Sequence, residues 1–199
     1  VPAMEALCAS SHFVRLGALQ GRLRSLRALV TGASLSRGFY DDADMRAWVD
    51  RTVAEHGVKR IMMFSSVMAQ YAEAHPQTRR VIDFCDVDSD KWRQYAEKKS
   101  FPMNWLYRHE AGKLLDWERA IAADFDASLF VSAPEADLFR QLAPESAARI
   151  GHFSNGVDTD YFSPEHAFVS PFSAGEPAMV FTGAMDYWPN IDAVQWFAD

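Results

Sequence analysis

The run VIDFCDVDSD at residues 81–90 sets Asp86 and Asp88 one residue apart, immediately after an apolar stretch. Two carboxylates so placed could hold a divalent metal such as magnesium against a diphosphate, and Asp86 alone could attack a phosphoester as a nucleophile. The phosphatase pattern wants Thr or Val two residues after the second Asp, where this chain has Asp90 after Ser89. The same residues imitate a calcium loop, with Asp86, Asp88, Asp90 and Glu97 in ligand positions, but Lys91 stands where that loop needs glycine for its sharp turn. His109-Glu110 opens like a zinc-protease HExxH, and residue 113 is Lys rather than the second His. Metal use is therefore not expected, and magnesium stays open only through the aspartate pair.

A second chemically suggestive stretch is IGHFSNGVDTDYFSP at residues 150–164. It reads as a buried strand end, a tight Asn155-Gly156 turn, an acidic cap at Asp158, and an aromatic anchor at Phe162 stopped by Pro164. Asn and Gly tolerate positive φ, so the pair can reverse the chain and bring bare backbone close to a ligand. Behind it, residues 179–182 form a strand-like run ending in Gly183. Of the tryptophans, Trp92, Trp105, Trp117 and Trp196 fall at helical spacings that predict core packing, whereas Trp188 falls in a loop beside Gly183.

These residues need a scaffold, and the hydrophobic pattern supplies one. Residues 16–30 carry Leu16, Leu19, Leu23, Leu26 and Val30 at helical spacing, with Arg15, Arg22, Arg24 and Arg27 around them. That pattern fits either a helix lying on an anionic membrane surface or one covering a sheet with its arginines in water. A helix opens at Asp41-Asp42, turns Met45, Trp48, Val49 and Val53 inward, and ends at Gly57. The run at 60–64 reads as a buried parallel strand, and Ser65-Ser66 as the cap of the helix after it. Strands at 81–84, 127–131 and 149–153 alternate with helices at 88–97, 103–124 and 134–142, the last capped by Ser132. Alternation throughout predicts a doubly wound, parallel Rossmann-like sheet. Ligands of such sheets sit at the carboxyl ends of the strands, which lines up Ser65, Ser66, Asp86, Ser132 and Asn155 on one edge.

Composition sets limits. The chain has 199 residues, a net charge of −7 and 49% hydrophobic residues, enough for one core and part of a second. The acidic balance argues against a general nucleic-acid binder, because phosphates along a duplex need a basic surplus. Cys8 and Cys85 lie far apart and outside any CxxC pattern, which fits a reduced, cytoplasmic protein. No apolar run approaches the roughly 20 residues that span a bilayer. Residue 1 is Val, and the pattern at 190–199 (Ile191, Val194 and Phe197 on one face) has no stop signal, so the chain reads as an internal piece of a longer protein.

The order Asn-Gly-Val-Asp, Phe162, Pro164, a linker, then an apolar run ending in Gly183 resembles the domain junction of retaining GT-B glycosyltransferases of the group-1, or family-four, type. The stretches YRHEAGKLLDWERAIAADFDASLFVSAPEADLF (107–139) and FTGAMDYWPNIDAVQWF (181–197) look like the sugar transferases associated with exosortase (PEP-CTERM) gene clusters. The resemblance implies an enzyme of exopolysaccharide assembly that moves a sugar from a nucleoside-diphosphate sugar to a hydroxyl on a saccharide or lipid-linked acceptor, with no other cofactor. It implies an acceptor-side domain over residues 1–165, and a linker with the start of the nucleotide-sugar domain over 166–199. Ser65, Ser66 and Asp86 would then face the acceptor, and Asn155, Gly156, Gly183, Ala184, Trp188 and Asn190 the donor cleft. The paired donor-side glutamates would lie beyond residue 199, leaving these residues alone inactive. Two departures stand out. Family members often follow the strand-end Gly with Arg and then Lys for the diphosphate, where this chain has Ala184 and Pro189-Asn190, and they often carry His where it has Asp86. The expected location is cytoplasmic, with peripheral contact at the inner membrane through residues 16–30 left open.

Overall fold

The computed structural model describes the chain except Val1, Ser170, Ala174 and Glu176, and the side chains of Pro2 and Ala3. The linker expected from residue 166 thus lies partly outside the described residues. Two compact units are present, Val1–Asn155 and Gly156–Asp199.

The first unit opens with helices α1 (Pro2–Glu5), α2 (Ala18–Thr31), α3 (Leu35–Phe39) and α4 (Ala43–His56), followed by strand β1 (Arg60–Phe64) and a 3-10 helix (Ser66–Tyr71). Then come β2 (Arg79–Cys85), α5 (Asp88–Glu97), α6 (Met103–Asp124), β3 (Ala127–Phe130), α7 (Ala133–Leu142), a 3-10 helix (Pro144–Arg149) and β4 (Ile150–His152). The four strands are all parallel and lie in chain order, β1-β2-β3-β4. A doubly wound sheet reverses its strand order at a switch point. These strands run one way, so the architecture is an open parallel α/β sheet with no reversal among the described strands.

The expected helix boundaries hold where caps define them. Asp42 accepts from the amides of Asp44 and Met45 at 3.0 and 3.2 Å, and Gly57 closes α4 at φ 57°. Ser132 accepts from Glu135 N at the start of α7. Ser65-Ser66 does not cap an α-helix: no side-chain cap bond forms, and the segment is 3-10. The core lies on the sheet, where Phe84, Phe130 and Phe139 meet at ring separations of 5.0–5.4 Å with Ile82, Ile121, Phe125 and Ile150 around them.

Two expectations fail for the same reason, an apolar face with nothing over it among the described residues. Strand β1 is an edge, and Met62 and Phe64 are about two-thirds exposed while Ile61 and Met63 pack on the core. Helix α2 does not cover the sheet with its leucines. Its inward face is Gly21, Ser25 and Ala28, because a Cβ at Gly21 would come within 2.4 Å of the Phe39 ring and one at Gly38 within 2.7 Å of the Ala28 Cβ. Close packing on α3 thus turns Leu19, Leu23, Leu26 and Val30 outward. No helix among the described residues is long and apolar enough to cross a membrane.

Among the described residues of the second unit the one regular element is α8 (Trp188–Ala198), so the run at 179–182 is unpaired and exposed rather than a strand. Trp188 opens that helix, ahead of Pro189, instead of sitting in a loop. Phe162 is also exposed, its ring meeting that of Tyr161 edge-on at 4.8 Å.

Candidate functional site

The carboxyl ends of the strands carry the first unit's most constrained backbone. Ser65, just past β1, has φ 74° and ψ 140°, and Cys85, at the end of β2, has φ 64°. They are the non-glycine residues at positive φ among those described, and such conformations cost about 1–3 kcal/mol unless surroundings enforce them. Hydrogen bonds do so here. Ser65 N donates to Asp83 O at 2.8 Å, Cys85 N donates to Asp83 Oδ1 at 2.9 Å, and Val131 N donates to Cys85 O at 2.8 Å. The ladder between β2 and β3 slips between Asp83 and Cys85, a bulge that re-aims the strand end.

Two cavities open on this edge. The smaller, about 220 Å³, is lined by Phe64, Asp83, Cys85, Asp86, Val131, Phe153 and Asn155. The larger, about 410 Å³, is lined among others by Ser65, Phe64, Asp88, Lys91 and Trp92. Phe64 belongs to both. Two carboxylates and an amide between aromatic rims suit a neutral, hydroxyl-rich ligand: the carboxylates accept from hydroxyls, the amide both donates and accepts, and the rings cover apolar C–H faces. The same charges repel phosphate.

Of the residues expected on this edge, Asp86 and Asn155 meet in the smaller cavity and Ser65 lies in the larger. Ser66 does not face an acceptor. It is fully buried, its carbonyl accepts from Trp117 Nε1 at 3.0 Å, and its hydroxyl has no partner. Ser132 is taken up in capping α7. The tight Asn155-Gly156 turn does not form either: neither residue has positive φ and neither lies in a turn. Asp158 does cap as expected, its Oδ1 accepting from Asp160 N and Tyr161 N at 3.1 and 2.9 Å.

Within the second unit, Asn190 Nδ2 donates to Ala184 O at 2.9 Å. A Cβ on Gly183 would come within 2.8 Å of that amide nitrogen, so glycine is what permits the contact.

Several carboxylates of the metal-style patterns have internal partners. Asp88 is 2.7 Å from the Lys91 ammonium, and Asp90 bonds Arg93 and Gln94, each at 2.7 Å. Among the described residues, no group of three or more His, Cys, Asp or Glu side chains is placed to hold a metal ion. Glu110 is buried and accepts from Ser34 Oγ, Leu35 N and Ser36 N at 2.8, 2.6 and 2.9 Å, anchoring the start of α3. Glu118 does the same for α5 through Ser89, and burial pushes its carboxyl up to about 8. Of the four tryptophans expected in the core, Trp117 packs against it, partly buried, whereas Trp105 and Trp196 are exposed and Trp92 packs edge-on against Tyr95 and Tyr107.

Asp83, Cys85, Phe64 and Phe153 were not among the site residues expected from the sequence. The available signal was Asp83, a carboxylate inside the apolar run VIDF. Burial, then the charge of Asp83, raises the Cys85 thiol to about 11, so it stays protonated and unreactive. No protein-family model, curated protein or solved structure matches the chain.

Proposed function

We propose that this chain supplies the acceptor side of a retaining glycosyltransferase of the GT-B type, which passes a sugar from a nucleoside-diphosphate sugar to a hydroxyl in exopolysaccharide assembly. The observation carrying this reading is the strand-end cavity where Asp83, Asp86 and Asn155 converge between Phe64 and Phe153. Asp86 accepts the hydrogen of the attacking hydroxyl and aims its oxygen, while Asn155 and the rings hold the rest of the acceptor. Such transfer passes through an oxocarbenium-like sugar and a departing diphosphate, so positioning and electrostatics carry most of the work. The four strands are one flank of a Rossmann-like sheet in this reading, and the resemblance puts the donor carboxylates outside residues 1–199. The outward stripe Leu19, Leu23, Leu26 and Val30, flanked by Arg22 and Arg27, fits peripheral contact with an anionic bilayer, which would bring a lipid-linked acceptor to the site.

The test is sugar transfer by the parent protein. Asp86→Asn is expected to cut turnover at least about a hundredfold with donor binding kept. Unchanged turnover in that variant contradicts the assignment of Asp86.

A further inference from the structure

Another cavity of the first unit shares no lining residue with those at the strand ends. It measures about 760 Å³, lies among α2, α3 and α4, and its lining includes Arg24, Arg27, Arg37 and Arg46. Three of these guanidiniums are held in place from behind. Arg24 pairs with Asp42 at 3.2 Å and donates to Asp41 O. Arg37 pairs with Glu73 at 2.7 Å and lies 3.9 Å over the Trp117 ring. Arg46 pairs with Asp41 and donates to Gln70 O, both at 2.8 Å. Asp50, the other carboxylate in the lining, is engaged by His75 at 2.8 Å. The cavity's carboxylates thus each have a partner, while the Arg27 guanidinium has no hydrogen bond or ion pair among the described residues.

Each guanidinium carries five N–H donors in a planar fork, and the bonds above use few of them. Four forks around one cavity, three fixed by ion pairs and one uncompensated, match the geometry of phosphate oxygens. A neutral sugar would leave these donors poorly met and a cation would be repelled. We propose that the cavity is a binding site for a phosphate-type anion, a mono- or diphosphate group, distinct from the strand-end cavities. The inference is independent of the glycosyltransferase reading. The phosphate can come from a soluble compound or from a lipid headgroup, because Arg24 and Arg27 sit on the same helix as the outward leucine stripe.

The probe is sodium pyrophosphate, titrated calorimetrically into the full chain. Saturable binding is expected, weakening as salt rises from about 50 to about 200 mM. Arg27→Gln should weaken it about tenfold with an unchanged melting temperature, since the guanidinium it removes holds no internal bond. Arg51→Gln, on α4 but outside the lining, should leave it unaltered. No saturable binding up to about 10 mM, or equal weakening by the two variants, overturns the proposal in favour of diffuse charge attraction. A second arm uses phosphatidylcholine vesicles with about one-fifth phosphatidylglycerol. Displacement of vesicle-bound chain by pyrophosphate supports the site with a lipid headgroup as source; pyrophosphate binding without displacement supports it with a soluble phosphate.

Discussion

Glu118 on α6 accepts from both the amide and the hydroxyl of Ser89, at 3.2 and 2.5 Å, so one buried carboxyl closes the start of α5. Burial raises this group from 4.5 to about 8. The folded state therefore holds a proton there that the unfolded chain has released above its own pKa of 4.5, and stability contributed at low pH is lost as pH rises towards about 8. Urea unfolding from pH 5 to 8 should show declining stability, and Glu118→Gln, whose oxygen still accepts from the Ser89 amide and whose NH2 can donate to its hydroxyl without a charge, should flatten that decline. An unchanged slope in the variant contradicts this assignment.

Glu110 performs the matching task for α3. Its removal leaves Ser34 Oγ and the amides of Leu35 and Ser36 without their carboxylate. Glu110→Ala should cost about 2–4 kcal/mol in equilibrium unfolding, and Glu110→Gln, which retains an acceptor, distinctly less.

Ser65 is held at φ 74° and ψ 140°, a region open mainly to glycine. Ser65→Gly should raise stability by about 1 kcal/mol while loosening the strand-end cavity. A loss of stability, read from the urea midpoint, would mean that the serine side chain contributes more than the backbone strain removes.

The two thiols should separate by reactivity. Cys8 is exposed, and Cys85 is partly buried with its thiol raised to about 11. Iodoacetamide at about pH 8 should label Cys8 first and Cys85 only on unfolding, which peptide mass spectrometry reads directly.

Much of the fold was legible because local signals agreed. The pattern placed α5 at 88–97 and α6 at 103–124 with the boundaries found, and Asp42, Gly57 and Ser132 marked ends that the backbone confirms. The failures are tertiary. Leucine spacing in α2 says that an apolar face exists but not which way it points, and Gly21 with Gly38 decides that by bringing α3 close. The run at 60–64 identified a strand without showing that it lies at an edge.

The site was only half legible for the same reason. Asp86 and Asn155 follow from the strand-end rule, whereas Asp83 joins them because a bulge at Cys85 re-aims the end of β2, and Ser66 drops out because the 3-10 turn buries it. Arg80 gave no signal at all. It sits buried in β2, bonded to Asp124 at 2.8 Å and stacked over Phe125, a role visible only once α6 is folded against the sheet.

The most direct measurement is calorimetric titration of the parent protein and of residues 1–199 with UDP, GDP and their sugar conjugates, with and without magnesium. The glycosyltransferase account predicts that the parent binds the sugar conjugates more tightly than pyrophosphate, a preference that residues 1–199 alone do not show. Magnesium-dependent binding retained by residues 1–199 and abolished by Asp86→Ala would contradict it, and would make Asp86 and Asp88 a metal-dependent phosphate site instead.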